Sequence, residues 1–463
     1  MNDFERVGRS IVRTFYDPPP SNESNEPIWL LGQRYEACPP PPQSLPSSAP
    51  AASTPTPLSE RTEDESWIRT SVDDKDRKEA PNGQDPSQYG NWPSAFLDDF
   101  ESRIWMTYRS GFCAIQKSQD SRATSAMSFR VRMQNLASPG FTSDTGFGCM
   151  IRSGQCILAN TLQIQRLGRN WRYQDDFDGK EHSSILSLFA DDPRAPFSIH
   201  RFVEHGAAVC GKYPGEWFGP SATARCIQDL VNRYKEAGLK VYVSGDGADV
   251  YEDKLRQVAT EEGGSWQPTL ILVGTRLGID KITPVYWEAL KASLQIRQSI
   301  GIAGGRPSAS HYFVATQGND FFYLDPHNTR PFLSYRDPAS PGSQDIDPKK
   351  TLAASTTSTS SSTTIIPAMS EVRAPDAATY SIEELATCHT RRVRRLQIRE
   401  MDPSMLLAFL VTSEEDYLDW KQSAQSVQGK SVVHVQDREP APRGQEREGA
   451  IDEVESWDEE GLQ

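Results

Sequence analysis

The chain has 463 residues, 37% hydrophobic and 24% charged; counted with glycine and without tyrosine, the apolar share is roughly 40%, below the ~45–50% of a chain packed throughout. The net charge of −14 argues against broad electrostatic binding of nucleic acid. No run approaches the ~18 apolar residues of a membrane helix, and the first twenty residues lack the apolar centre of a signal peptide, so the expectation is a soluble intracellular protein.

In residues 1–35, Phe4, Val7, Ile11 and Phe15 recur at helical spacing. Pro18-Pro19-Pro20 ends that amphipathic segment, because proline cannot continue a helix. Pro27 to Gly32 then reads as a buried strand closed by a glycine turn. Residues 36–94 read as a disordered insertion, with eight prolines between Pro39 and Pro57 among Ser, Thr and Ala.

A core of mixed α/β (α+β) type is expected over 95–337 and 379–420. Apolar runs at Leu239–Val243, Leu270–Val273, Tyr312–Ala315 and Phe321–Leu324 predict strands. Helical spacing predicts helices over Met150–Leu167, Ala222–Ala237, Tyr251–Ala259 and Tyr286–Leu294.

Between the two blocks, residues 338–378 read as a second disordered insertion with ten consecutive Ser/Thr from Ser355 to Thr364. Such a stretch buries too little apolar surface to offset the entropy of ordering it. Residues 421–463 read as an acidic tail: from 431 on, three Arg stand against ten Asp and Glu, which is half of the excess charge.

Seven cysteines, at 38, 113, 149, 156, 210, 226 and 388, include no C-x-x-C pair, which argues against a disulfide framework and a structural zinc site. Asp246, Asp249 and Asp253 lack calcium-loop spacing, and no Gly-Lys-Ser/Thr follows Gly301-Ile302-Ala303-Gly304-Gly305. Neither a metal nor a nucleotide cofactor is expected.

Ser143-Asp144-Thr145-Gly146-Phe147-Gly148 puts polar capping residues and glycines before a segment whose Ile151, Leu158 and Leu162 repeat at helical spacing. Cys149 therefore falls at a helix start, where the dipole and a nearby imidazolium can lower a thiol's pKa from its ordinary ~8.5. Its own amide would be free to donate to an oxyanion. A small core residue at a helix start fits the same spacing.

Phe321-Phe322-Tyr323-Leu324-Asp325-Pro326-His327 follows a Gly318-Asn319 turn, so a hairpin strand delivers an acid and an imidazole two residues apart, on one face of extended chain. Pro326 stiffens the pair. Asp325 would orient His327, and His327 would act as base and then acid; a plain strand-end turn is the alternative. Of the other histidines, His200 and His205 read as surface and His182 and His434 as loop residues, leaving His311 and His389 as rivals.

These motifs resemble the autophagin cysteine proteases, which process and delipidate the ubiquitin-like modifiers of autophagy. Further similar stretches occur in order: Pro27–Gly32 with Tyr35, Trp105-Met106-Thr107-Tyr108-Arg109, Gly215-Glu216-Trp217-Phe218-Gly219-Pro220, Gly304-Gly305-Arg306-Pro307 with His311-Tyr312-Phe313, and Cys388-His389-Thr390 through Met405.

The resemblance implies a papain-like fold with a small auxiliary subdomain at roughly 235–305. It implies Cys149 as nucleophile, His327 as general base, Asp325 as its orienting acid and Tyr108 as an oxyanion donor. Trp217 and the loop of Gly304, Gly305, Arg306 and Pro307 would cover the site and admit only a thin tail ending in glycine. The implied partners are the modifier and its phosphatidylethanolamine conjugate, with no nucleic acid. The implied location is the cytoplasm, with transient recruitment to autophagosomal membranes and the nucleus as a further compartment. Phe147 stands where the family usually has tryptophan, an apolar exchange that bears on packing more than on chemistry.

Two weaker signals remain. Phe4/Val7 loosely fits an aromatic-x-x-aliphatic modifier-binding motif, whereas Trp457 fails because Glu460 holds the aliphatic position. Arg391, Arg392, Arg394, Arg395 and Arg399 suit anionic headgroups, but with Val393, Leu396 and Ile398 between them they suit a solvated strand edge better. The rival functions are a weakly active scaffold that holds the modifier at a membrane, and a cysteine hydrolase of unrelated amides.

Overall fold

A computed structural model describes residues 21–37, 90–135, 137–175, 179–245, 247–260, 264–306, 309–337 and 379–440. The expected N-terminal helix, most of both insertions and the last part of the acidic tail lie outside these residues.

In chain order the strands are β1 (Ile28–Leu30), β2 (Gln33–Tyr35), β3 (Arg109–Gln116), β4 (Gly140–Ser143), β5 (Lys240–Val243), β6 (Asp249–Tyr251) and β7 (Thr269–Arg276). They continue with β8 (Ser299–Arg306), β9 (Ala309–Gln317), β10 (Asp320–Leu324), β11 (Arg330–Pro331), β12 (Arg394–Gln397), β13 (Ser404–Val411) and β14 (His434–Gln436). A nine-stranded sheet runs β12-β10-β9-β8-β13-β7-β5, with β1 and β2 attached through β9.

β13 reads Ser-Met-Leu-Leu-Ala-Phe-Leu-Val and is buried from Met405 onward. A strand covered on both faces takes such a continuous apolar run in place of alternation. All pairings along the path are antiparallel except β5 with β7. The expected strands are present, each within three residues of its predicted ends. β12, with its arginines, lies at one edge of the sheet, as the alternation of Arg with Leu396 predicts.

The helix Cys149–Leu167 packs on β8 and β9 and is buried on every side from Cys149 to Gln163. Its burial, as expected for the helix that Cys149 starts, extends beyond the face marked by Ile151, Leu158 and Leu162. Its polar side chains are paired: Gln155 Nε2 donates to Phe197 O at 2.7 Å, Asn160 Nδ2 to Ile104 O at 2.9 Å and Gln163 Nε2 to Ser102 O at 2.8 Å.

A second sheet, β11-β3-β4, matters more for the site. β3 begins immediately after Tyr108, β4 ends six residues before Cys149, and β11 begins three residues after His327. One short sheet thus binds together the three segments that carry Tyr108, Cys149 and His327.

Three expected boundaries change. Residues 235–305 are not a separate subdomain, because β5, β7 and β8 are strands of the main sheet, beside which stand β6, paired in parallel with β14, and the helices Glu252–Ala259 and Trp287–Gln295. The acidic tail does not begin at 421: the helix Glu414–Gln425 buries Trp420, and Val432 and Val433 are buried before β14. The polar surroundings of those two valines hid them from any periodicity. The first insertion ends earlier than 94, since Trp92 is buried edge-on against Phe322 with ring centroids 5.1 Å apart.

Among the described residues no helix is long and apolar enough to cross a membrane. The mixed helix and sheet, with a long buried helix carrying a cysteine at its start against an antiparallel sheet, is a papain-like arrangement.

Candidate functional site

Cys149 opens the buried helix, with Gly148 at its N-cap. No side chain caps that end, contrary to the reading of Ser143, Asp144 and Thr145 as capping residues. Asp144 instead holds the turn from inside. Its carbonyl accepts from the amides of Phe147 at 3.2 Å and Gly148 at 2.9 Å, and its carboxylate accepts from Arg109 N at 2.7 Å and Arg152 Nε at 2.8 Å.

Arg152 also lies 2.8 Å from Asp191, with all three side chains essentially removed from solvent. Burial works against the guanidinium's charge, but the two carboxylates outweigh it and raise its pKa. Asp191 in turn accepts from Leu333 N at 2.9 Å, just beyond β11. The Asp144–Arg152–Asp191 group thus ties the turn before Cys149 to the chain that follows His327.

The strand end delivers the other half. His327 Nδ1 lies 2.7 Å from Asp325 Oδ1, and the His327 amide donates to the same oxygen at 3.0 Å. The carbonyl of Asp325 accepts from Trp105 Nε1 at 2.8 Å and that of Pro326 from the Tyr108 amide at 2.8 Å, so the pair is anchored by the segment entering β3. With Nδ1 occupied, Nε2 is the ring nitrogen left to meet Cys149, to which His327 hydrogen bonds.

The electrostatics follow from these contacts. Burial pushes the Cys149 thiol up, but hydrogen bonds from His327, the Ser310 amide and Trp217, with the charge of His327, outweigh it and leave the thiol below its ordinary value. Burial pushes His327 down, but Asp325 and Cys149 hold it up at about 9. Asp325, despite burial, is held down at about 2 by His327. The balance favours a thiolate beside an imidazolium, the charge state a sulfur nucleophile needs at neutral pH.

Trp217 donates from Nε1 to Cys149 Sγ at 3.2 Å while remaining 37% exposed, so the indole lies over the sulfur with one side in solvent. Tyr108 is buried edge-on to His327, with ring centroids 5.4 Å apart. Burial, the Cys149 charge and hydrogen bonds to Cys149 raise its pKa, so the phenol keeps the proton that an oxyanion would take as a hydrogen bond.

Gly304, Gly305 and Arg306 end β8 opposite His311, Ser310 and Ala309. A Cβ on Gly305 would come within 2.0 Å of the Ala309 carbonyl and 2.7 Å of His311 Nδ1. Only glycine fits there without moving the strand that presents the Ser310 amide to Cys149. Pro307 lies outside the described residues.

Of the rival bases, His311 stands beside the pair, with Nε2 3.9 Å from Asp325 Oδ1, but burial pulls it down to about 4. His389 is paired elsewhere, with His182 at 3.2 Å and the Glu101 carbonyl at 2.7 Å. Neither His182 nor His205 is a loop or surface residue; both are buried on helices. Phe147 is buried edge-on to Phe141, with ring centroids 5.5 Å apart.

Sequence reasoning missed Arg152, Asp191 and the Ser310 amide, and took Asp144 for a cap. For Arg152 one signal existed: an arginine on a helix otherwise apolar at its start requires a buried anion.

A profile of the peptidase C54 catalytic domain matches residues 93–423. The chain is 76% identical over 479 residues to a protein of Phaeosphaeria nodorum named probable cysteine protease ATG4, covering all of both chains. It is 46% identical over 460 residues to cysteine protease atg4 of Emericella nidulans, covering 98% of each. It is 47% identical over 496 residues to cysteine protease 1 of Neurospora crassa, covering 97% of this chain and 90% of that one.

Proposed function

The chain belongs to the peptidase C54 family, the autophagin cysteine proteases acting in autophagy, and on that premise we propose that it cleaves after the C-terminal glycine of a ubiquitin-like modifier. The same site would mature the precursor and release the modifier from phosphatidylethanolamine in the cytoplasm and at autophagosomal membranes.

The observation that carries this reading is the line Asp325–His327–Cys149 with Trp217 laid over the sulfur. The Cys149 thiolate attacks the glycine carbonyl, and the negative oxygen that develops is met by the Tyr108 phenol and the Cys149 amide. His327 gives its proton to the departing amine, the C–N bond breaks and a thioester remains. Water then adds with His327 taking its proton, and the thioester breaks to free the glycine carboxylate. A trailing peptide and an ethanolamine headgroup both leave as amines, so one mechanism serves both substrates. Trp217, in contact with the sulfur, leaves room for a backbone without a Cβ, which favours glycine at the cleaved bond.

The test is cleavage of a purified modifier tagged after its glycine, and of its lipid conjugate in vesicles, by the native chain and by Cys149→Ser, His327→Ala and Asp325→Ala. Loss of cleavage with modifier binding retained is the expected result. Binding by the native chain without turnover would favour the scaffold, and neither binding nor turnover would remove the modifier as substrate.

A further inference from the structure

The geometry points to a divalent metal site, of the kind zinc occupies, formed by His205, Cys210 and Cys226 between two helices about the loop that carries Trp217. His205 lies on the helix Ile199–Val209 and Cys210 is its C-cap residue. Cys226 and Asp229 lie three apart on the helix Pro220–Arg233, hence on one face of it.

Single ligand atoms of His205, Cys210 and Cys226 all fall within 4.8 Å of one another. The Asp229 carboxylate lies outside that set, with Oδ2 3.0 Å from His205 Nδ1, where it orients the ring. Donor atoms on a tetrahedral zinc stand about 3.3–3.8 Å apart, given bonds of about 2.0–2.3 Å, so small side-chain rotations close the set.

His205 Nδ1 pairs with the Asp229 carboxylate, which Arg233 Nε also meets at 2.7 Å. The two thiols pair with each other and make long contacts besides, Cys226 Sγ to Phe202 O at 3.7 Å and Cys210 Sγ to Ala222 O at 4.0 Å. An ion between them would replace these weak sulfur contacts with metal–thiolate bonds.

Two sulfurs and an imidazole suit a borderline-soft ion. Cys210 also lines a cavity of about 800 Å³ together with Lys212, Trp217 and Arg225, which gives an ion its route in. The absence of a C-x-x-C pair did not reveal the site because its ligands come from two helices. Bound metal would brace both ends of residues 211–219 and so fix where Trp217 stands.

The test uses the full chain carrying Cys149→Ser, which removes the site thiolate as a competing ligand. Zinc or cobalt(II) alone is added under reducing conditions after chelator treatment. Expected are one ion per chain and a tetrahedral cobalt spectrum with a thiolate charge-transfer band. Adding Cys210→Ser or Cys226→Ser should weaken uptake at least tenfold. Asp229→Asn, which keeps its shape, should also weaken it at least tenfold, so the proposal stays open to test if the cysteine variants fail to fold. A cobalt spectrum without the thiolate band, or uptake that these substitutions leave unchanged, would overturn it. So would a Cys210–Cys226 disulfide forming on oxidation in a chain that takes up no zinc when reduced.

Discussion

The indole N–H of Trp217 and the sulfur of Cys149 lie 3.2 Å apart, joining a residue of the loop before one helix to the first residue of another. Trp217→Phe keeps an aromatic cover and removes only the donor. A hydrogen bond to a charged group contributes about 1.5–3 kcal/mol, so the thiolate of this variant should need a pH higher by about 1–2 to form. Alkylation of Cys149 by iodoacetamide against pH measures this directly; an unmoved midpoint would mean the indole only covers the site.

The ion pair sets a pH window for turnover. It exists above the lowered value of Cys149 and below about 9, where His327 gives up its proton. The rate of tagged-modifier cleavage should therefore rise through an acid limb and fall near pH 9, both limbs belonging to the coupled pair. Asp325→Asn removes the partner that holds the ring up, so its residual activity should lose its alkaline limb towards the ordinary 6.5 of histidine. An alkaline limb still near 9 in that variant would contradict the role given to the carboxylate.

Tyr108→Phe tests the oxyanion role with little change in packing. Loss of one preorganised donor lowers kcat by about 10²–10³, with KM nearly unchanged because the donor acts on charge that develops after binding. Steady-state cleavage gives both constants. Equal kcat values would reduce Tyr108 to an aromatic neighbour of His327.

Arg152→Met leaves the buried carboxylates of Asp144 and Asp191 without their shared cation. Breaking a buried ion pair from one side costs about 3–5 kcal/mol, to be read from urea unfolding of the full chain. Activity under native conditions should fall as well, because Asp144 shapes the turn that presents Cys149.

A Cβ on Gly148 would lie 2.2 Å from Asp144 Oδ2 and 2.8 Å from its Cβ. Gly148→Ala must therefore displace either the carboxylate or the helix start. A displacement of about 1 Å costs on the order of a hundredfold in rate. Cleavage by the variant within a fewfold of native would show that the turn yields without moving the sulfur.

Much of the site is visible in the sequence because its signals are local. Glycines followed by helical spacing put Cys149 at a helix start, and an Asp-Pro-His after a hairpin strand puts Asp325 and His327 on one face; both depend only on backbone period and turn chemistry over a few residues. The order of motifs adds Tyr108 and Trp217 and the family. The tertiary structure decided what lies between distant segments: Asp144, Arg152 and Asp191 as one buried group, the Ser310 amide aimed at the sulfur, and His311 beside the pair but neutral. It also put β5, β7 and β8 into the main sheet and ordered the chain past 421 through Val432 and Val433. Pairing across tens or hundreds of residues is set by which faces the packed core brings together, and no local period encodes that.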